Sequence, residues 1–223
     1  PVIGLIESWK ATFILIGSPG LLLSLLMLTV KEPVRHEILT RKFEKPGEGF
    51  IKHMLMAPRV YGAVHFSGAM TAFTGYSVFA WTPTYLVRQF GFTPTEAGVM
   101  LGPIAAIFGM FGCISSGIAS DWLVRTGVAG GRFVIPLIWW PIALLGVCII
   151  VLPESHVSTL IGVSIFALGS GFGISSVPPS IHDITPNQLR GQATSLHFVL
   201  AGILGLAGGI SLVAIVSDTF FRD

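Results

Sequence analysis

Long apolar runs separated by short polar turns dominate the chain. A hydrocarbon core of about 30 Å needs around 20 apolar residues in a helix. Six segments meet that requirement: Ala11 to Val30, Val60 to Trp81, Glu96 to Ala119, Phe133 to Leu152, Ser158 to Ile181, and Arg190 to Val216. A membrane barrel would instead alternate apolar and polar residues over strands of about ten. Phe133 to Leu152 contains no Ser, Thr, Asn, Gln, His or charged residue, so the pattern predicts an all-α membrane protein, a polytopic helical bundle.

The spans differ in polarity. The first carries only Thr12, Ser18, Ser24 and Thr29, and the fourth only its paired Trp139 and Trp140. Both suit lipid-facing support. The second holds Tyr61, His65, Ser67, Thr71, Thr74, Tyr76 and Ser77, and the fifth holds Ser158, Thr159, Ser164, Ser170, Ser175, Ser176, Ser180 and His182. At about 100° per residue, Tyr61, His65, Gly68, Ala72 and Tyr76 share one stripe. The fifth span aligns Ser164, Gly171, Ser175 and His182, while Gly169, Gly171, Gly173, Pro178 and Pro179 predict a bend that turns carbonyls toward a cavity. Two readings follow. The hydroxyls return to their own helices and the glycines permit close packing, or the two spans line a wet passage; their clustering favours the passage.

Composition narrows the class. Of 223 residues, 52% are hydrophobic and 11% charged, against roughly 25% charged in a soluble domain. The net charge of +2 gives no reason to expect a nucleic-acid partner. Ten of the 13 Lys and Arg fall on one side when the spans are threaded alternately, in Lys31 to Arg59, Ser120 to Arg132 and His182 to Arg190. The positive-inside rule makes that side cytoplasmic, in a cell-membrane protein of multi-pass topology. Cys113 and Cys148 lie in apolar runs and read as small buried hydrophobes rather than a disulfide or metal pair. No cofactor and no metal ligand set is evident. The chain opens on Pro1, and an even number of spans with both ends outside suits a piece of a longer bundle.

Three motifs lie between the spans. The third span ends in Gly117, Ile118, Ala119, Ser120 and Asp121, followed by Arg125, Gly127, Gly130, Gly131 and Arg132. The next loop on that side carries Asp183, Pro186, Arg190 and Gly191. Beyond the second span, Trp81, Thr82, Pro83, Thr84, Tyr85 and Leu86 lead to Thr93, Glu96, Ala97 and Gly98, where Thr93 and Glu96 fit a capping box. The first loop resembles the Gly-x-x-x-Asp signature of the major facilitator superfamily, with Trp122 where a basic residue is frequent. The second resembles that family's acid-x-x-Pro-x-x-x-Arg-Gly pattern. The third is similar to the aromatic-Pro corner of its anion:cation symporter and spinster-like branches.

The resemblance implies a partial major facilitator fold covering the sixth to eleventh helices of twelve. Residues 1–30 would be the last helix of the N-terminal half, 31–59 the cytoplasmic central linker, and 60–223 the C-terminal repeat lacking its final helix. The second and fifth spans would line the central cavity, the third and sixth would meet the missing N-terminal half, and the first and fourth would face membrane lipid. Gly202, Gly205, Gly208 and Gly209 suit close packing of the sixth. Gly117, Asp121, Arg125 and Arg132, with Asp183, Pro186, Arg190 and Gly191, would act in gating, Asp121 pairing with Arg125 or Arg132.

The implied activity is secondary transport of a small organic solute, an organic anion among the candidates, by alternating access coupled to a proton or sodium gradient. Substrate contacts would be Tyr61, His65, Thr71 and Tyr76, with Ser170 and Ser175. No span carries an Asp or Glu away from its ends, which leaves His65 and His197 as the titratable candidates. No embedded Arg or Lys is present to hold a carboxylate. The alternatives are a non-transporting receptor or scaffold of the same fold, and an intramembrane hydrolase using Ser175 or Ser176 with His182 and Asp183. The hydrolase lacks a Gly-x-Ser-x-Gly elbow.

Overall fold

The computed structural model describes residues 8–31, 48–128, 130–151 and 155–220. The chain divides into two compact units, Pro1–Ile38 and Leu39–Asp223. In the first, α1 (Ser8–Met27) contains Pro19 and exposes a continuous series of Leu, Ile and Phe side chains. Its polar groups stay out of the way. Ser18, Ser24 and Thr29 donate to the carbonyls of Leu15, Leu21 and Leu26 at 3.2, 2.7 and 2.7 Å.

The second unit is a helical bundle: α2 (Glu48–Met56), α3 (Pro58–Phe90), α4 (Pro94–Arg125), α5 (Gly131–Val151), α6 (His156–Ile184), a 3-10 turn (Asn187–Leu189), and a final rod made of α7 (Arg190–Leu200), a π segment (Ala201–Gly209) and α8 (Ile210–Phe220). Among the described residues, five helices are long and apolar enough to cross a membrane: α1, α4, α5, α6 and the final rod with its preceding turn. α3 has 33 residues, roughly 50 Å at 1.5 Å per residue, but its hydroxyls, His65, Arg59 and Arg88 dilute its apolarity.

One expectation is corrected. Pro83 is not a corner, because α3 continues through it and stops only at Gly91, whose φ of +72° closes the helix in the left-handed region. The glycine- and proline-rich stretch lies within α6, which runs unbroken from His156 to Ile184. Residues 31–59 contain α2, which begins directly after Gly47 and buries Phe50 against Val64, Val177, Ile181, Leu189 and Ala193. Pro33, Arg35, Arg41, Lys42, Lys45 and Pro46 lie outside the described residues. The capping box at the start of α4 is present: the Thr93 amide donates to Glu96 Oε2 at 2.8 Å and the Glu96 amide to Thr93 Oγ1 at 3.3 Å.

α6 sits at the centre, packed on α5 and α4 through glycines. A Cβ on Gly162 would stand 2.7 Å from the Gly146 carbonyl oxygen and 2.8 Å from the Ile150 amide, and one on Gly146 would stand 2.7 Å from the Phe166 amide. On the α4 side, a Cβ on Gly171 would run into the Gly109 carbonyl, and one on Gly112 into that of Leu168. Backbones this close exchange weak polar contacts as well: Cys113 Sγ and Ser116 Oγ donate to the carbonyls of Gly171 and Phe172 at 3.4 and 3.2 Å. Cys113 and Cys148 are both free thiols.

The final rod packs on α3 by the same device. A Cβ on Gly205 would lie 2.6 Å from that of Ala72, and one on Gly209 would lie 2.6 Å from the Phe73 carbonyl oxygen. Trp81 Nε1 donates to the Ile210 carbonyl at 3.2 Å and holds α3 to the start of α8. α5 divides into two faces: Ile135, Trp139, Ala143 and Gly146 are buried, while Leu137, Leu144 and Leu145 are exposed.

Candidate functional site

Between α3, α6 and the final rod lies a cavity of about 220 Å³. α3 contributes Gly68, Thr71, Ala72, Gly75, Tyr76 and Phe79; α6 contributes Ile174, Val177 and Pro178; His197, Phe198 and Ala201 close the third side. The wall is largely apolar, with a few polar groups converging on it, the usual make-up of a small-molecule site. Pro178 has no N–H, so the Ile174 carbonyl lacks the amide donor that a regular helix supplies four residues on. Ala201 opens the π segment, where a wider helical turn alters the register of α7 relative to α8.

The hydroxyls expected to face this space are mostly engaged within their helices. Thr71 Oγ1 donates to the Ser67 carbonyl at 2.9 Å, Ser170 Oγ to Ala167 at 2.9 Å and Ser175 Oγ to Gly171 at 2.8 Å. Ser164, Ser176 and Ser180 behave alike. Of the expected substrate contacts, Thr71 and Tyr76 line the cavity, whereas Tyr61, His65, Ser170 and Ser175 do not. Tyr61, 2% exposed, gives its hydroxyl to the Ile184 carbonyl at 3.0 Å and lies 2.8 Å from Thr185 Oγ1.

Imidazole and indole nitrogens contrast with the hydroxyls. His65 is 4% exposed, His197 7% and Trp139 0%. Both ring nitrogens of His65, Nδ1 of His197 and Nε1 of Trp139 are buried with no hydrogen-bond partner among the described residues. The His65 and His197 rings stack at 6.2 Å. Gly68 makes room for them: its missing Cβ would overlap His197 Cε1. Gly173 does the same for Trp139, whose Nε1 would lie 2.7 Å from a Cβ there, as would Thr71 Cγ2. Trp139 therefore reaches from α5 past α6 toward the α3 wall. Nothing in the apolar sequence around it signalled that reach, and Phe198, Ile174 and Pro178 carried no polar signal either.

At the α2 end of the bundle the two loop motifs meet. Arg132 Nη1 donates to Asp183 Oδ1, while Arg132 Nη2 stands 4.0 Å from Asp121 Oδ1. One guanidinium at the start of α5 thus faces carboxylates at the ends of both α4 and α6. Arg190 Nε donates to the carbonyls of His182 and Thr185, each at 3.2 Å, and so satisfies the C-terminal end of α6. Pro186 precedes the 3-10 turn that leads to Arg190. Arg125 is exposed in the last turn of α4, and a Cβ on either Gly117 or Gly191 would meet nothing within 4 Å. The hydrolase residues do not form a relay: Ser175 returns to Gly171, His182 Nε2 lies 3.1 Å from Thr194 Oγ1, and Asp183 pairs with Arg132.

Comparison with known proteins agrees with the helical fold. The probable galactarate/D-glucarate transporter GudP of Escherichia coli (strain K12) is 25% identical over 238 aligned positions, covering 95% of this chain and 52% of that protein. The chain spans about half the length of this curated relative. Two crystal structures of a bacterial homolog to the human lysosomal transporter Spinster share the fold. The inward-facing unoccupied form has a TM-score of 0.67 at 21% identity, over 97% of this chain and 46% of that one. The inward-facing occupied form has 0.68 at 22%, over 97% and 44%. The family model of the Major Facilitator Superfamily matches residues 1–209, and the chain is a multi-pass membrane protein belonging to that superfamily.

Proposed function

We propose that this chain is the C-terminal portion of a secondary transporter that carries a small organic anion across the cell membrane by alternating access, coupled to a proton or sodium gradient. Residues 1–30 are read as the last helix of the N-terminal half, 31–59 as a cytoplasmic linker and 60–223 as the C-terminal repeat. The missing N-terminal half supplies the opposite wall of the passage, and membrane lipid covers the outer faces. The observation that carries the reading is the cavity between α3, α6 and the final rod, where Thr71, Tyr76 and His197 meet an otherwise apolar wall. Hydroxylated sugar acids of the galactarate and glucarate type suit such a wall, since aromatic and hydroxyl groups orient the polyol and an imidazole can meet a carboxylate.

Within this reading Thr71 and Tyr76 touch the solute. Tyr61, His65, Ser170 and Ser175 support the wall from behind. The cluster of Asp121, Arg132, Asp183 and Arg190 forms a gate at the cytoplasmic end, with Gly117, Arg125, Pro186 and Gly191 shaping its loops. Its charged contacts lie near solvent, where an ion pair is weak enough to break and re-form during a cycle. The test is uptake of D-glucarate by the full-length protein in liposomes under an imposed proton or sodium gradient. Gradient-driven accumulation supports the reading. Binding without accumulation marks a receptor of the same fold, and neither binding nor uptake removes this solute class.

A further inference from the structure

A column of rings runs from α2 to the cavity. His53 stands edge-on to Tyr61 at 6.0 Å, Tyr61 stacks on His65 at 6.1 Å, and His65 stacks on His197 at 6.2 Å with 27° between planes. The outer members are satisfied: His53 Nε2 lies 3.2 Å from the Ile184 carbonyl oxygen, which Tyr61 also uses. The inner two are not. Three imidazole nitrogens, all on rings more than nine-tenths buried, have no partner among the described residues, and one of these rings forms part of the cavity wall. Buried polar groups are seldom left unpaired, and one that is calls for a role such as catalysis or the binding of water or an ion. Gly68 keeps the two rings adjacent, because a Cβ there would displace the His197 imidazole.

We propose that His65 and His197 form a single proton-binding site at the cavity wall, and that its charge is matched by an anionic group of the solute in the cavity. The proton comes from water entering the cavity and is bound at an imidazole nitrogen. The neighbouring ring, too close to tolerate a second positive charge, stays neutral, so the pair titrates as a unit. Other ionisable groups on the surrounding elements are engaged elsewhere or exposed. On α3, Tyr61 bonds Ile184, Tyr76 shares the cavity wall with His197 but is exposed, Tyr85 packs edge-on to Phe90, and Arg59 and Arg88 are exposed. On α6, His156 packs against Phe90 and Phe92, His182 lies against Thr194 and Asp183 pairs with Arg132. His53 on α2 is held at Ile184, Lys52 is exposed, Arg190 on α7 bonds the end of α6, and Asp218 on α8 is exposed. Glu96 on α4 closes its capping box with Thr93. The solute's part in the proposal rests on the transport reading above; the proton's part does not.

The deciding measurement is side-chain nitrogen NMR of histidine in the full-length protein, in nanodiscs without solute, as pH is lowered. The expected result is that His65 and His197 take up one proton between them, and that His65→Gln shifts the titration of His197. Gly68→Ala, which keeps both imidazoles but displaces one, is expected to uncouple them and guards against a misfolded glutamine variant. Independent titration of the two rings, or no protonation of either, would overturn the proposal. A second measurement follows D-glucarate affinity against pH. One linked proton makes affinity fall roughly tenfold for each unit that pH rises above the titration midpoint of the free pair, and His197→Gln is expected to flatten that slope. An unchanged slope in His197→Gln overturns the pairing of proton and solute. If D-glucarate does not bind at all, the solute class fails while the NMR result still decides the proton site.

Discussion

The α4–α5–α6 block and the seam between α3 and the final rod use the same small and polar residues to different ends. In the block, glycines bring backbones together at Gly146 and Gly162 and at Gly112 and Gly171, and the serines of α6 bond to their own helix. These serine hydroxyls serve packing. In the seam, Gly205 and Gly209 close one stretch against Ala72 and Phe73, yet next to it Gly68 makes room for two imidazoles with three nitrogens unpartnered among the described residues, and a cavity opens. A dense cluster of serines on a membrane helix is thus weaker evidence for a solute path than a few nitrogens with nothing to bond.

The sharpest way to break this comparison is to overfill the block. Gly162→Leu forces a side chain into the Gly146 backbone and should cost about 3 kcal/mol, seen as a large fall in unfolding temperature of the full-length protein in detergent. Gly102→Ala, where a Cβ meets nothing within 4 Å, should be neutral or stabilising by up to about 1 kcal/mol. In the seam the ranking reverses: Gly68→Ala is expected to lower D-glucarate uptake at least tenfold, or about 1.4 kcal/mol in transition-state terms, with a smaller loss of thermal stability. If Gly68→Ala loses stability but not uptake, the seam is only another packing surface.

Smaller effects are expected at the α2 end. Tyr61→Phe removes a hydrogen-bond donor from Ile184 and Thr185 in a buried site and should cost about 1 kcal/mol by urea unfolding. Asp183→Asn weakens the contact with Arg132, whose side chains are 27% and 40% exposed, so its stability cost should stay below about 1 kcal/mol. Its effect should appear instead in the balance of inward- and outward-open states, measured by spin-label distances across the gate. A stability loss as large as that of Gly162→Leu would make the cluster a structural clamp rather than a gate.

Much of this architecture is legible in the sequence because hydrophobic length and glycine spacing are local properties. The apolar runs, the Thr93–Glu96 cap and the packing of Gly205 and Gly209 all follow from residues close in the chain. Pro83 misleads for a physical reason: a proline stops a helix only when nothing else compensates, and here α3 continues to a glycine whose backbone is free to reverse. The π segment leaves no trace in hydropathy, since widening a turn changes register and not composition. Clustering of the hydroxyls favours a passage in sequence, yet Thr71, Ser170 and Ser175 bond back to their own helices, because bonding back and facing a cavity use the same residues. Only the pairing of α3 with α7 brings His65 beside His197, 132 positions on.

Cysteine accessibility tests the central claim, a solute cavity between α3, α6 and the final rod, most directly. In full-length protein carrying Cys113→Ala and Cys148→Ala, the reactivity of Thr71→Cys, Tyr76→Cys and Ser170→Cys toward a charged, membrane-impermeant thiol reagent would be compared with and without D-glucarate. Thr71→Cys and Tyr76→Cys are expected to react and to be protected by the solute, while Ser170→Cys stays inert. Equal reactivity at all three, or reaction at Thr71→Cys and Tyr76→Cys that the solute leaves unchanged while it is being transported, would contradict that claim.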